Sequence, residues 1–124
     1  MRTRSLNQIL GAIVIMLFFT VNAAAQDKAA EGARAVTSNM KDQLNLNDNQ
    51  YTQLYAVNLD FLQKAIENQA TGNTKVEKGK RLKELDDERD AKLKSVLNSD
   101  QFKKYLATKT DNRKKLRAFY QDKV

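Results

Sequence analysis

Apolar positions in this chain recur at helical spacing, and no stretch alternates with period two over a useful length. Four helices are predicted. The first covers about 28–44, with Val36, Met40 and Leu44 at i, i+4 and i+8. Its Ala-rich N-terminal half is weakly patterned and is expected to fray. The second covers about 48–70, where Tyr51, Leu54, Tyr55, Phe61, Leu62, Ala65 and Ile66 form a wide apolar face. That arc is broad for so small a chain, leaving part of it for a dimer seam or an exposed groove.

Thr71-Gly72-Asn73 is the clearest turn. The third helix, 75–97, opens on Thr74 with Glu77 three residues on, a capping-box pattern, and carries the stripe Leu82, Leu85, Leu93 and Val96. Glu77–Arg81, Glu88–Lys92 and Asp90–Lys94 stand acid before base at i, i+4, each pair worth about 0.2–0.5 kcal/mol. Gly79 costs this helix about 1 kcal/mol relative to alanine. The fourth, 99–121, begins its apolar face with Phe102, Tyr105 and Leu106 and ends it with Leu116, Phe119 and Tyr120. Lys109, Asn112 and Arg113 interrupt that face, and residues 108–112 have low helix propensity, so a kink, a break or a departure from the bundle is expected there. With no proline in the chain, the expected fold class is all-α, four amphipathic helices in a thin hairpin or bundle.

One pattern occurs twice, 51 residues apart: Leu46-Asn47-Asp48-Asn49-Gln50-Tyr51 and Leu97-Asn98-Ser99-Asp100-Gln101-Phe102. Each reads as a helix start. The asparagine caps the first turn and the glutamine returns to the cap's own N–H. The preceding leucine is placed to staple against the aromatic residue. At Leu46, Asn47 and Gln50, and again at Leu97, Asn98 and Gln101, the chain resembles the Spy/CpxP family of periplasmic proteins, whose hallmark is a doubled Leu-Thr-x-x-Gln motif. Asparagine replaces threonine in both copies, which keeps the capping role. The resemblance covers about residues 44–106 and implies a thin, cradle-shaped helical dimer. It further implies ATP-independent binding of unfolded envelope proteins on a basic and apolar concave surface, or restraint of an envelope-stress sensor kinase. Some members bind zinc, but a chain without His or Cys is not expected to.

The N-terminus changes the picture of where the chain works. Arg2 and Arg4 precede an apolar stretch from Ile9 to Val21, and Ala23-Ala24-Ala25 follows. A membrane-crossing helix needs roughly 20 apolar residues. Residues 1–25 therefore read as a secretory signal cleaved before Gln26, which leaves residues 26–124 as one helical domain in the periplasm. A domain of that size buries a modest core, and with no disulfide to help, a homodimer is expected.

Composition narrows the chemistry. With no imidazole and no thiol there is no general-base histidine and no cysteine nucleophile, so no catalytic residues, no cofactor and no metal ligands are assigned. The acidic cluster Glu84, Asp86, Asp87, Glu88 and Asp90 lacks the glycine turn of a calcium loop and reads as a solvated face. Positive charge is concentrated at the C-terminus, where residues 101–124 carry a net +6. Export argues against nucleic acid as its target. The client-binding candidates are Lys103, Lys104, Lys109, Arg113, Lys114, Lys115 and Arg117 for attraction, with Tyr105 and Tyr120 for contact. The motif residues are expected to be structural caps. Expected partners are unfolded envelope proteins, with a sensor-kinase domain or anionic lipid as alternatives.

Overall fold

The computed structural model describes residues 23–121. The expected signal segment falls largely outside them. Four helices run in order: α1 (Ala23–Leu44), α2 (Asp48–Ala70), α3 (Lys75–Val96) and α4 (Ser99–Tyr120). The fold is all-α, with no strand among the described residues. None of these helices is long and apolar enough to cross a membrane.

Helix α2 is central. It packs against α1, α3 and α4, and α1 also packs against α4, while the backbones of α3 and α4 stay largely apart. The core gathers Val36 and Met40 of α1, Leu54 and Leu62 of α2, Leu93 of α3, and Tyr105 and Leu116 of α4. The Ala-rich half of α1 does not fray as expected, because small side chains let it pack closely. Ala29 and Ala33 are fully buried. A Cβ on Gly32 would stand 2.7 Å from Phe119 Cγ and 2.8 Å from Leu62 Cδ1, so α1 approaches its neighbours through the missing side chain.

The two corners differ by one residue. Helix α1 ends with Asn45 in the left-handed region at φ 53, and Leu46 N donates to Lys41 O at 3.3 Å. This is a Schellman turn with asparagine in the usual glycine place. Helix α3 ends without one, since Leu97 is extended and donates to Leu93 O at 2.9 Å. Both corners then open the next helix with complete capping boxes, on Asn47 with Gln50 and on Asn98 with Gln101. Leu46 and Leu97 are buried beside them.

The repeat also has a tertiary role. The two glutamine amides form a reciprocal pair: Gln50 Nε2 donates to Gln101 Oε1 at 2.7 Å, and Gln101 Nε2 donates to Gln50 Oε1 at 3.1 Å. Each spends its remaining N–H on the end of a helix from the opposite half, Gln50 on Val96 O at 3.3 Å and Gln101 on Leu44 O at 3.2 Å. Every donor of both amides is used. The doubled motif is thus one clamp joining the α1–α2 corner to the α3–α4 corner.

Four expectations are corrected. Helix α4 is continuous through 108–112: Lys109 and Arg113 reach acids of α3, and Asn112 between them is fully buried in the bundle. Leu106, expected on the apolar face, is instead half exposed. The start of α3 has half of its capping box, with Glu77 N donating to Thr74 Oγ1 at 3.2 Å. None of the three expected i, i+4 pairs appears among the ion pairs of α3, because Arg81 pairs with Glu84 while Asp90 and Lys92 are drawn across helices to Lys109 and to Asp60.

Candidate binding groove

Helix α3 carries few apolar side chains on the face turned toward its neighbours. Between Leu85 and Leu93 that face presents Asp86, Arg89 and Asp90, and nearer its start it presents Gly79. Such a face cannot close a dry seam against α4. It bridges the gap with long polar side chains instead.

Arg89 is the centre of the bridge and is 1% exposed. Its Nε donates to Asn58 Oδ1 at 2.9 Å and its NH1 to the Tyr105 hydroxyl at 3.1 Å. The Phe61 and Tyr105 rings lie 5.7 and 5.5 Å from the guanidinium, within cation–π range. Asn58 donates to Thr37 Oγ1 at 2.9 Å, and Tyr105 donates to Asp90 Oδ1 at 2.7 Å. Thr37, Asn58, Arg89 and Tyr105 therefore link all four helices through one buried polar relay. Burial lowers the Arg89 pKa, opposed by the nearby acids Asp86 and Asp90. Burial likewise pushes the Tyr105 phenol well up, with its hydrogen bond to Asp90 acting in the same direction.

Outside the relay lies an ionic bridge. Asp90 pairs with Lys109, and Asp86 pairs with Arg113 and, at 3.4 Å, with Lys109. Burial raises the Asp86 pKa, but Arg113 and Lys109 outweigh it and hold the carboxyl below its ordinary value. The solvated acidic face expected here holds for Glu84, Asp87 and Glu88, which are exposed, and is corrected for the other two: Asp86 is buried and Asp90 half-buried. The carboxylates of Asp86, Asp87 and Asp90 do lie within 4.8 Å of one another. All three are engaged by basic side chains, Asp87 by Lys83 on its own helix and Asp86 and Asp90 by Lys109 and Arg113 of α4, so the cluster works as an anchor between helices.

Above this bridge, the gap between α3 and α4 opens into a groove. One hollow of about 340 Å³ is lined by Phe61, Gly79, Leu82, Lys83, Asp86, Arg113, Leu116, Arg117 and Tyr120. A second of about 370 Å³ continues it past Ala65, Lys75 and Lys78, sharing Gly79, Leu82 and Tyr120. The floor is apolar, from Phe61 and Ala65 of α2 with Leu116 and Tyr120 of α4, and Phe61 meets Tyr120 edge to face at 6.1 Å. The rim carries Lys75, Lys78, Lys83, Arg113 and Arg117 against the single acid Asp86. The wall is open at Gly79, where a Cβ would meet nothing within 4 Å.

The residues expected from sequence divide into three groups. Arg113, Arg117 and Tyr120 come together in the groove. Lys103, Lys104, Lys114 and Lys115 are exposed elsewhere on α4. Tyr105 is fully buried and committed to Arg89 and Asp90, so its assignment as a contact residue is corrected, and Lys109 is occupied by Asp86 and Asp90. Tyr120 lines the groove while only 7% exposed, so little of it is open to a ligand. The wall residues Lys75, Lys78, Gly79, Leu82 and Lys83 were missed, as was Arg89. A signal for Arg89 existed, because it stands four residues from both Leu85 and Leu93, in the gap of the apolar stripe.

Fold and groove together define an all-α protein with a basic, apolar-floored trough between two helices. Residues 21–105 match the family described as Domain of unknown function (DUF4890), and the chain belongs to that family. The match ends within α4, before the groove residues Arg113, Leu116, Arg117 and Tyr120. No curated protein matches the chain, and no solved structure does.

Proposed function

We propose that this protein is a non-enzymatic, ATP-independent holdase of the bacterial envelope, retaining unfolded or partly folded polypeptides in the α3–α4 groove. The carrying observation is the groove itself: an apolar floor under a rim of five basic residues and one acid. Unfolded chains expose apolar side chains, and acidic ones are drawn to positive charge over a Debye length of about 10 Å at moderate salt. Shallow apolar contact then holds them weakly, so a client can fold and leave. The resemblance of the two Leu-Asn-x-x-Gln motifs to the Spy/CpxP pattern supports the same reading, as does the export expected from residues 1–25. A homodimer belongs to the proposal too. It would be built on polar and half-buried surface, because Val76 and Leu106 are the exposed large hydrophobics among the described residues.

Light scattering of a chemically denatured client tests the proposal. Equimolar protein without nucleotide is expected to suppress aggregation, and added salt to weaken the suppression. No suppression at several-fold excess overturns it. Exposed Lys103, Lys104, Lys114 and Lys115 with Leu106 favour a second reading, docking of α4 on anionic lipid. Flotation with acidic but not neutral liposomes would support that one.

A further inference from the structure

Arg113 is half exposed on the groove rim, its side chain 49% accessible, yet it is not free. It donates through NH2 to Asp86 Oδ2, and among the described residues its other N–H groups have no protein partner. A guanidinium presents a fork suited to a carboxylate taken two-handed, and this fork is used by one prong. Asp86, on the opposite wall, is 7% exposed, and the same Oδ2 also faces Lys109 at 3.4 Å. Lys109 has a second acid in Asp90, so it keeps a partner whatever Asp86 does. The α3 and α4 backbones stay largely apart, which makes these side chains the tie across the trough.

We infer that Asp86 is an internal stand-in for a client carboxylate, occupying Arg113 until an acidic and apolar segment enters the groove. The inference rests on the groove being the polypeptide-binding site proposed above. It names the preferred client: a segment with an aliphatic or aromatic side chain next to Asp or Glu. The apolar side chain lies over Phe61, Leu82 and Tyr120, and the acid takes the open prong of Arg113 in competition with Asp86. Arg117, one turn further along α4, extends the preference to a second acid. A neutral segment has no group to take over Arg113 and gains only the floor.

The test titrates the purified protein with two fluorescent peptides of one apolar pattern, carrying Glu in the first and Gln at the same places in the second. Anisotropy at low salt is expected to show tighter binding of the Glu peptide. Asp86→Asn is expected to bind the Glu peptide on the order of fivefold tighter and to widen the Glu-over-Gln preference. Asp87→Asn removes the same charge from an exposed neighbour paired with Lys83, and is expected to shift binding by less than about twofold. Equal gains from the two variants would mean a general charge effect and overturn the inference, as would no gain from Asp86→Asn. If circular dichroism shows that Asp86→Asn has lost its fold, Arg113→Gln decides. Its expected result is loss of the Glu-over-Gln preference, and retention of that preference overturns the inference. Failure of both peptides to bind any folded form removes the groove reading itself and the inference with it.

Discussion

The reciprocal glutamine pair invites a double-mutant cycle. Gln50→Ala removes the return bond to Asn47 N at 3.1 Å, the bond to Val96 O at 3.3 Å, and both bonds shared with Gln101. Gln101→Ala removes the matching set: Asn98 N at 3.0 Å, Leu44 O at 3.2 Å, and the same shared pair. At about 0.5–1.5 kcal/mol net per hydrogen bond, discounted for partial exposure and for alanine's better helix propensity, each single change should cost about 2–4 kcal/mol. Two of the four bonds in each set are common, so the double variant should cost less than the sum by about 1–2 kcal/mol. Urea unfolding followed by far-UV circular dichroism measures all four corners of the cycle. Coupling below about 0.5 kcal/mol would show that the motifs act as separate caps and refute the clamp.

Three further outcomes follow from the packing. Asn112 is fully buried and neither polar atom of its amide has a hydrogen-bond partner among the described residues, so Asn112→Leu is expected to raise stability by about 1–3 kcal/mol, and a lowered urea midpoint would contradict this. Gly79→Ala fills open space in a helix and should stabilise by about 1 kcal/mol, whereas Gly32→Ala drives a methyl into Leu62 and Phe119 and should destabilise by about 1 kcal/mol net; the same sign for both would sink the packing argument. Asp86 has its carboxyl held below the ordinary value of 3.8, because Arg113 and Lys109 outweigh the effect of burial. Its stabilising contribution is therefore present above that value and lost as pH falls through the lowered one. Asp86→Asn should consequently flatten the acid side of the stability profile, and an unchanged acid decline would count against the ionic bridge.

Much of the fold was legible because helix starts are local. Asn47, Thr74 and Asn98 cap where the sequence places them, and the starts of α2, α3 and α4 follow. The start of α1 was placed five residues late, and the buried Ala29 and Ala33 behind it read as a weak pattern although they pack closely. The clamp was half legible: each capping box is written in six consecutive residues, but the meeting of the two glutamines depends on how the corners face each other. The site was least legible. Charge density drew attention to α4, yet the groove takes its other wall from Lys75, Gly79 and Leu82, which carry no local signal of proximity to Arg113. Within the basic cluster, solvent exposure separates Lys103 and Lys104 from Lys109, and exposure follows from what α3 brings opposite each one.

Amide hydrogen exchange, read by mass spectrometry with and without an excess of a permanently unfolded acidic client, tests the groove most directly. The account expects slowed exchange or altered protection confined to the segments 75–86 and 113–120, lost in Gly79→Trp, whose side chain fills the trough from an exposed helix position. Protection centred on the outer face of α4 around Lys103 and Lys104, or undiminished binding by Gly79→Trp, would contradict it.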